Sequence, residues 1–344
     1  MVVTDLSTTY LGMRLRNPLV PSASPLGANL DTLLRLEGAG AAAVVLPSLF
    51  EEQIVHEEIE IARLLALGAD SHPEAGSYFP ELENYNTGPS GYLRHLEAAK
   101  RALSIPVIAS LNGATEGGWT HHARLLEGAG ADALELNVYL VAADPRLSSA
   151  DVEHRYVDLV GTVASEISIP LAVKIAPYFT SLANMAARLV DAGAEGLVLF
   201  NRFVQPEIDL EERRVVTRAH LSSPEEVRLP LRWISILRDH VEVSLAASSG
   251  VHGAAEVLKL LLAGADVTMM ASALLERGPE YLGVVLGEVA EWLDAHDYHS
   301  VEQARGSMSQ RSVPDPSTFA RVQYMRALTS YTPTYNSGTA PDQG

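Results

Sequence analysis

The stretch Glu127-Gly-Ala-Gly-Ala-Asp-Ala-Leu-Glu-Leu-Asn137 reads as a helix end, a tight turn and a buried strand in immediate succession. It has three counterparts: Glu37-Gly-Ala-Gly-Ala-Ala-Ala-Val-Val-Leu-Pro47, Asp191-Ala-Gly-Ala-Glu-Gly-Leu-Val-Leu-Phe-Asn201 and Leu262-Ala-Gly-Ala-Asp-Val-Thr-Met-Met-Ala271. Glycine after a helical run takes a left-handed cap at little steric cost, and an unbroken apolar run suits a parallel strand covered on both faces. Working outward from these four gives eight apolar runs: Leu19 to Ser24, Ala42 to Ser48, Val107 to Leu111, Ala133 to Tyr139, Leu171 to Pro177, Gly196 to Arg202, Val243 to Gly250 and Asp266 to Ser272. Helix-forming sequence follows each one, so the expected fold class is α/β, a (β/α)8 TIM barrel. An open doubly wound sheet also holds eight strands, but no Gly-x-Gly-x-x-Gly turn follows the first run.

With 344 residues and 47% hydrophobic content, one barrel with decorations uses the whole chain. The expected division is a single domain over residues 1–330 and a flexible C-terminal tail over 331–344. A net charge of −18 argues against nucleic acid as a partner. Met1 to Tyr10 has no basic start or long apolar core, and no later segment approaches ~18 uncharged apolar residues, so a soluble, cytoplasmic protein without a membrane partner is expected. There is no cysteine, which excludes disulfides, thiolate metal sites and cysteine nucleophiles within these residues. His121, His122 and His252 read as surface or capping residues, and no His/Asp/Glu spacing suggests a metal.

Thr8 to Pro18 reads as a short N-terminal β-hairpin with Gly12 near its turn, placed to cap the bottom of the barrel. Glu51 to Arg101 is a long insert after the second strand, Pro/Gly/Tyr/Asn-rich from Ser71 to Tyr92, and such inserts are usually functional lids or walls. Gln205 to Pro230 is a second, charge-rich irregular stretch, and the tail from Arg305 to Gly344 ends in polar, Pro/Gly-containing sequence that is expected to fray.

Reactive side chains in such barrels sit at the carboxyl ends of strands, and these ends are polar here. Lys174 interrupts the run Pro170-Leu-Ala-Val-Lys-Ile-Ala-Pro177. A charged amine inside a barrel needs an anionic or strongly accepting partner. Three readings stand: a structural ion pair, with Glu135 one strand away; a cation facing an electron-rich cofactor edge; or a Schiff-base nucleophile. Ser248-Ser249-Gly250 and Ala271-Ser272 close the last two strands, where barrels commonly hold a phosphate, although turn chemistry alone also explains them. Asn112, Asn137 and Asn201 place amides at three strand ends, a set suited to a planar heterocycle.

These residues resemble the FMN-dependent dihydroorotate dehydrogenase barrels, the class 1 soluble members above all, over nearly the whole chain. The resemblance rests on Asn17-Pro-Leu-Val-Pro-Ser-Ala-Ser24, Ala133-Leu-Glu-Leu-Asn137, Pro170-Leu-Ala-Val-Lys174, Leu221-Ser-Ser-Pro224 with Pro230-Leu-Arg232, Ser248-Ser-Gly-Val251 and Met270-Ala-Ser-Ala-Leu274. It implies an oxidoreductase of pyrimidine metabolism with one FMN in the barrel mouth, and Lys174 facing the flavin N1/O2 edge. Ala23, Ser24, Asn112, Asn137 and Asn201 would line flavin or substrate. Ser223, Ser249, Gly250, Ala271 and Ser272 would hold the phosphate. The Asn of the family's substrate loop aligns with Asn84 or Asn86. A homodimer is implied, and with no cysteines for an iron–sulfur cluster, any such relay would need an electron-transfer partner subunit.

The chain also departs from the pattern. After Leu-Asn the family places Ser-Cys-Pro-Asn or Ser-Pro-Asn, whose Cys or Ser takes the substrate proton. Here Asn137 is followed by Val-Tyr-Leu-Val-Ala-Ala-Asp144, the base position falls near Leu140, and Pro47 stands where the family has a lysine. Dihydroorotate is therefore an uncertain substrate, and a small heterocyclic or carbonyl-bearing compound is the broader expectation. Tyr139 is the nearest side chain able to transfer a proton, better as acid than as base because a phenol titrates near ~10, although an aromatic packed at a strand end is an equal reading. Two other functions stay open: a non-catalytic or partner-dependent flavin-binding subunit, and a lyase or aldolase using Lys174 as a Schiff base.

Overall fold

The computed structural model describes residues 4–54, 88–113, 119–202, 205–217 and 220–319. The two halves of the expected TIM barrel meet in one eight-stranded parallel sheet: β3 (Leu19–Pro21), β4 (Val44–Phe50), β5 (Val107–Gly113), β6 (Ala133–Val138), β7 (Leu171–Ile175), β8 (Gly196–Leu199), β11 (Ser244–Ser248) and β12 (Val267–Met270). Neighbours in sequence are neighbours in space from β4 through β8 to β11 and β12, and β12 pairs back onto β3. The remaining seam is joined by the Ala42 N–H donating to the Leu19 carbonyl at 3.0 Å. All eight strands are those the apolar runs predict, and helices alternate with them.

The repeated Gly-Ala cadence has one physical basis. Gly40, Gly130, Gly193 and Gly264 have φ of +106°, +93°, +110° and +123°, the left-handed region that glycine enters freely. At each, the glycine N–H and the next residue's N–H return to the last helical turn, as in Gly130 to Glu127 O (2.9 Å) and Ala131 to Leu126 O (3.2 Å). These are four Schellman caps that stop a helix and aim the chain into a strand.

Two copies share a further device. Glu37 accepts the Ser104 N–H at 2.8 Å, and Glu127 accepts the Ser168 N–H at 2.9 Å, each serine lying just before the strand one position further round the barrel. Hydrogen bonds from the Ser104 side chain and the Ser104 and Ile105 amides, against the opposing effect of burial, hold the Glu37 carboxyl below its usual value; those from Ser168 do the same for Glu127. A lowered folded-state value stabilises above the unfolded pKa and is lost as pH falls through the folded one. Because both groups are largely solvated, each contact is worth about 0.5 kcal/mol. Glu127→Gln is therefore expected to lower the urea midpoint slightly at pH 7 and to match the parent near pH 3; an equal deficit at both pH values would contradict this origin.

The N-terminal hairpin forms as expected, β1 (Thr8–Tyr10) pairing with β2 (Met13–Leu15) around Leu11 and Gly12. It plugs the barrel's bottom. Tyr10, Leu11 and Leu15 are buried against Ala42, Ala43, Ala133, Ala172 and Ala246, small inward residues that leave room for the hairpin. The Leu11 N–H donates to Ser244 Oγ at 2.9 Å, and the Thr8 hydroxyl to the Asp266 carbonyl at 2.9 Å. The other face of each strand packs on the helices, with Leu134, Leu136 and Val138 of β6 in that outer core.

The stretch from Gln205 to Pro230 is more regular than its sequence suggests. It holds an antiparallel hairpin, β9 (Pro206–Asp209) with β10 (Arg214–Thr217), and a 3-10 turn over Pro224–Val227. Strands this short, with Ile208 and Val215 exposed, carry no alternating pattern to read. The centre of the long insert after β4, including Asn84 and Asn86, and the tail beyond residue 319 lie outside the described residues.

Candidate functional site

Strand alternation builds the mouth of the barrel. Along β6, Ala133, Glu135 and Asn137 turn inward, and the register pairs Asn137 with Asn112 of β5 on one side and Lys174 of β7 on the other. Three polar side chains from adjacent strands thus share one ring of the interior. Above them opens a cavity of about 280 Å³ lined by Ala23, Ser24, Asn112, Asn137, Lys174, Asn201, Ser249, Gly250, Ala271 and Ser272, together with Ser22, Pro47, Ser48, Phe50, Phe200, Arg202, Ser222 and Ser248. The strand-end residues singled out in sequence therefore converge, with two exceptions.

Ser223 is the first. Its side chain is exposed, and its N–H donates to Glu226 Oε1 at 2.9 Å in a capping box, whereas its neighbour Ser222 is buried and faces the cavity. Tyr139 is the second. It follows the end of β6 and lines a neighbouring cavity with Leu140, Tyr156, Tyr178 and Phe179, not the mouth. Burial pushes the Tyr156 phenol there up to about 12.

The floor and the rim of the mouth differ chemically. At the floor, Lys174 Nζ lies 3.6 Å from Glu135 Oε1 and donates to Ser22 Oγ at 3.4 Å, with Lys174 and Glu135 both buried. The ion-pair reading of Lys174 is therefore realised, and the same ammonium still faces the cavity. On one side, Asn201 Nδ2 donates to Asn137 Oδ1 and, at 3.4 Å, to the Val138 carbonyl, which orients both amides.

Next to it, round the ends of β11 and β12, lies a hydroxyl cluster. The Ser222 hydroxyl and N–H both donate to Ser272 Oγ at 2.9 Å, and His252 Nε2 is 3.1 Å from the Ser222 hydroxyl. Beside it, Ser249 and Gly250 hold left-handed φ of +79° and +74°. His252, which its position at a helix start marks as a surface or capping residue, is thus buried in a polar network. Arg202 completes the wall: its Nε donates to Glu226 Oε2 at 3.0 Å and its guanidinium also reaches the His220 and Leu221 carbonyls, fastening the loop that carries Ser222. Ser222, His252 and Arg202 were missed as site residues because their roles depend on contacts 18 to 50 residues away.

One packing contact supports this wall directly. A Cβ at Gly113, the residue after Asn112, would lie 1.7 Å from Cζ2 of the buried Trp119. Gly113→Ala should cost about 1–3 kcal/mol through overpacking, read as a lower denaturant midpoint; an unchanged midpoint would contradict the packing described.

Comparison with known proteins places this mouth in context. Residues 81–293 match the family model described as dihydroorotate dehydrogenase. The chain belongs to the dihydroorotate dehydrogenase family. Among its relatives is the dihydroorotate dehydrogenase B (NAD(+)), catalytic subunit, of Thermoplasma acidophilum, 26% identical over 88% of this chain and 99% of that protein. A putative dihydroorotate dehydrogenase A (fumarate) of Aeropyrum pernix is 25% identical over 88% of this chain and 97% of its own length. The family membership makes this an oxidoreductase. Leu140, near which the resemblance implies the base position, lines the neighbouring cavity, while Pro47 lines the mouth. Among the described residues no cluster of His, Cys, Asp or Glu is arranged to hold a metal, and no helix is long and apolar enough to cross a membrane.

Proposed function

We propose that the chain is an FMN-dependent oxidoreductase that moves hydride between flavin and a small heterocyclic or carbonyl-bearing substrate. The observation that carries this reading is the polarity of the mouth: a buried ammonium at the floor, oriented amides at the rim and, next to them, a hydroxyl cluster with left-handed backbone. That donor set suits a ring with an electron-rich edge and a phosphate tail. FMN supplies hydride acceptance and donation at the ring when bound. Lys174 would face its N1/O2 edge, Ala23, Ser24, Asn112, Asn137 and Asn201 would line ring and substrate, and Ser222, Ser249, Gly250, Ala271 and Ser272 would hold the phosphate. Ser223 serves that end by capping the turn that carries its neighbour.

Tyr139 does not face the mouth, so we assign the substrate's proton to water or to a group outside the described residues, where Asn86 also lies. The match to the dihydroorotate dehydrogenase family model supports hydride transfer over a Schiff-base lyase or aldolase at Lys174. Relatives named as catalytic subunits make an electron-transfer partner a reasonable extension to this chain, alongside a homodimer in the cytoplasm. No cysteine is present to ligate a cluster.

Anaerobic mixing of the FMN-loaded protein with dihydroorotate tests the substrate. Slow or absent bleaching of the flavin, with full reduction by dithionite, is expected from the missing Cys/Ser base. Bleaching within the mixing time would show that the base is dispensable and would make dihydroorotate the substrate.

A further inference from the structure

Glu135 is the most anomalous side chain in the barrel. It is 0% exposed, and neither carboxylate oxygen has a hydrogen-bond partner among the described residues. Its β6 position pairs with Ser110 and Ala172 on the flanking strands, one layer below Asn137 and Lys174. The Lys174 ammonium, 3.6 Å away, is its ion-pair partner. Nearby, the Tyr10 hydroxyl is also buried without a hydrogen-bond partner among the described residues, and its ionisation is pushed up by burial and by the charges of Glu135 and Asp266. Stability does not explain such an arrangement. A buried ion pair seldom repays its desolvation, and an apolar pair of similar volume would serve the packing at least as well.

We propose that Glu135 is a positioning residue that fixes the Lys174 ammonium against the floor of the mouth from below and offsets part of its charge, setting how far the site favours negative charge on a ring bound above. The inference rests on the FMN reading. The sign of each effect follows from charge alone. Neutralising Glu135 leaves a full cation under the ring and favours the reduced, more negative form; neutralising Lys174 leaves an anion there and disfavours it. A neighbouring charge shifts a protonation equilibrium by about one to three units, so roughly tenfold or more is expected in the reduction equilibrium.

The test is the midpoint potential of bound FMN, measured by dye equilibration in the holoprotein and its variants. Glu135→Gln should move it upward by at least tenfold in the equilibrium, about 30 mV for a two-electron couple. Lys174→Gln should move it downward, and Glu135→Asp, which keeps the charge, should stay close to the parent. Should Glu135→Gln fail to fold, the double variant Glu135→Gln with Lys174→Gln, which leaves no unpaired charge, is compared with Lys174→Gln and should lie above it. An unshifted or downward potential in Glu135→Gln, or no difference in the double-variant comparison, overturns the proposal while leaving the flavin reading intact. A parent protein that takes up no FMN overturns that reading and this inference with it.

Discussion

Lys174→Met should destabilise the protein by about 3–5 kcal/mol, because it strands the Glu135 carboxylate without its cation in a place where it is 0% exposed. The effect should exceed that of truncating a comparable apolar side chain on the helix-facing side of the sheet by one methyl group, which costs about 0.5–1.5 kcal/mol. Adding Glu135→Leu should recover most of the loss, since removing both charges abolishes the unpaired group. Chemical denaturation of the three variants without added cofactor measures this. Equal stability of Lys174→Met and the parent would show that the pair is not the buried contact described.

Gly250→Ala should be nearly as severe and should act at the phosphate end. A Cβ there would lie 2.2 Å from the Val227 nitrogen and 2.8 Å from the Glu226 carbonyl carbon. Both are backbone atoms that cannot rotate away. The φ of +74° adds strain of about 1–2 kcal/mol for a residue with a side chain. A total of about 2–4 kcal/mol is expected, together with loss of FMN affinity as Ser249 and the turn over Pro224–Val227 are pushed apart. Gly287→Ala is the control: it sits within the helix Tyr281–Ala295 with nothing among the described residues within 4 Å of the added Cβ, and should stabilise by about 0.5–1 kcal/mol. Thermal unfolding and FMN fluorescence quenching read both variants; intact FMN binding by Gly250→Ala would contradict the assignment of this loop.

The barrel was legible because its signals are local. A glycine at the C′ position and an unbroken apolar run after it identify a helix stop and a buried parallel strand without any knowledge of distant residues, and four copies fix the architecture. The ring of Asn112, Asn137 and Lys174 was legible for a similar reason, since strand ends define a mouth once a barrel is accepted. What escaped was set by tertiary contact. Ser222 and Ser223 are adjacent serines; the capping box of Ser223 with Glu226 is local, but Ser222 joins the site only through His252 and Ser272, thirty and fifty residues away. His252 begins as any histidine before a helix; the hydroxyl of Ser222, thirty residues away, makes it part of the site. Tyr139 lies two residues beyond Asn137, but β6 ends at Val138, so alternation no longer points its side chain inward.

The visible absorption spectrum of the purified protein, followed by titration with FMN, tests the central claim most directly. A flavin spectrum, present on purification or restored by FMN and weakened in Lys174→Met, is the predicted result. A colourless protein that takes up no FMN would contradict the account of the mouth as a flavin site.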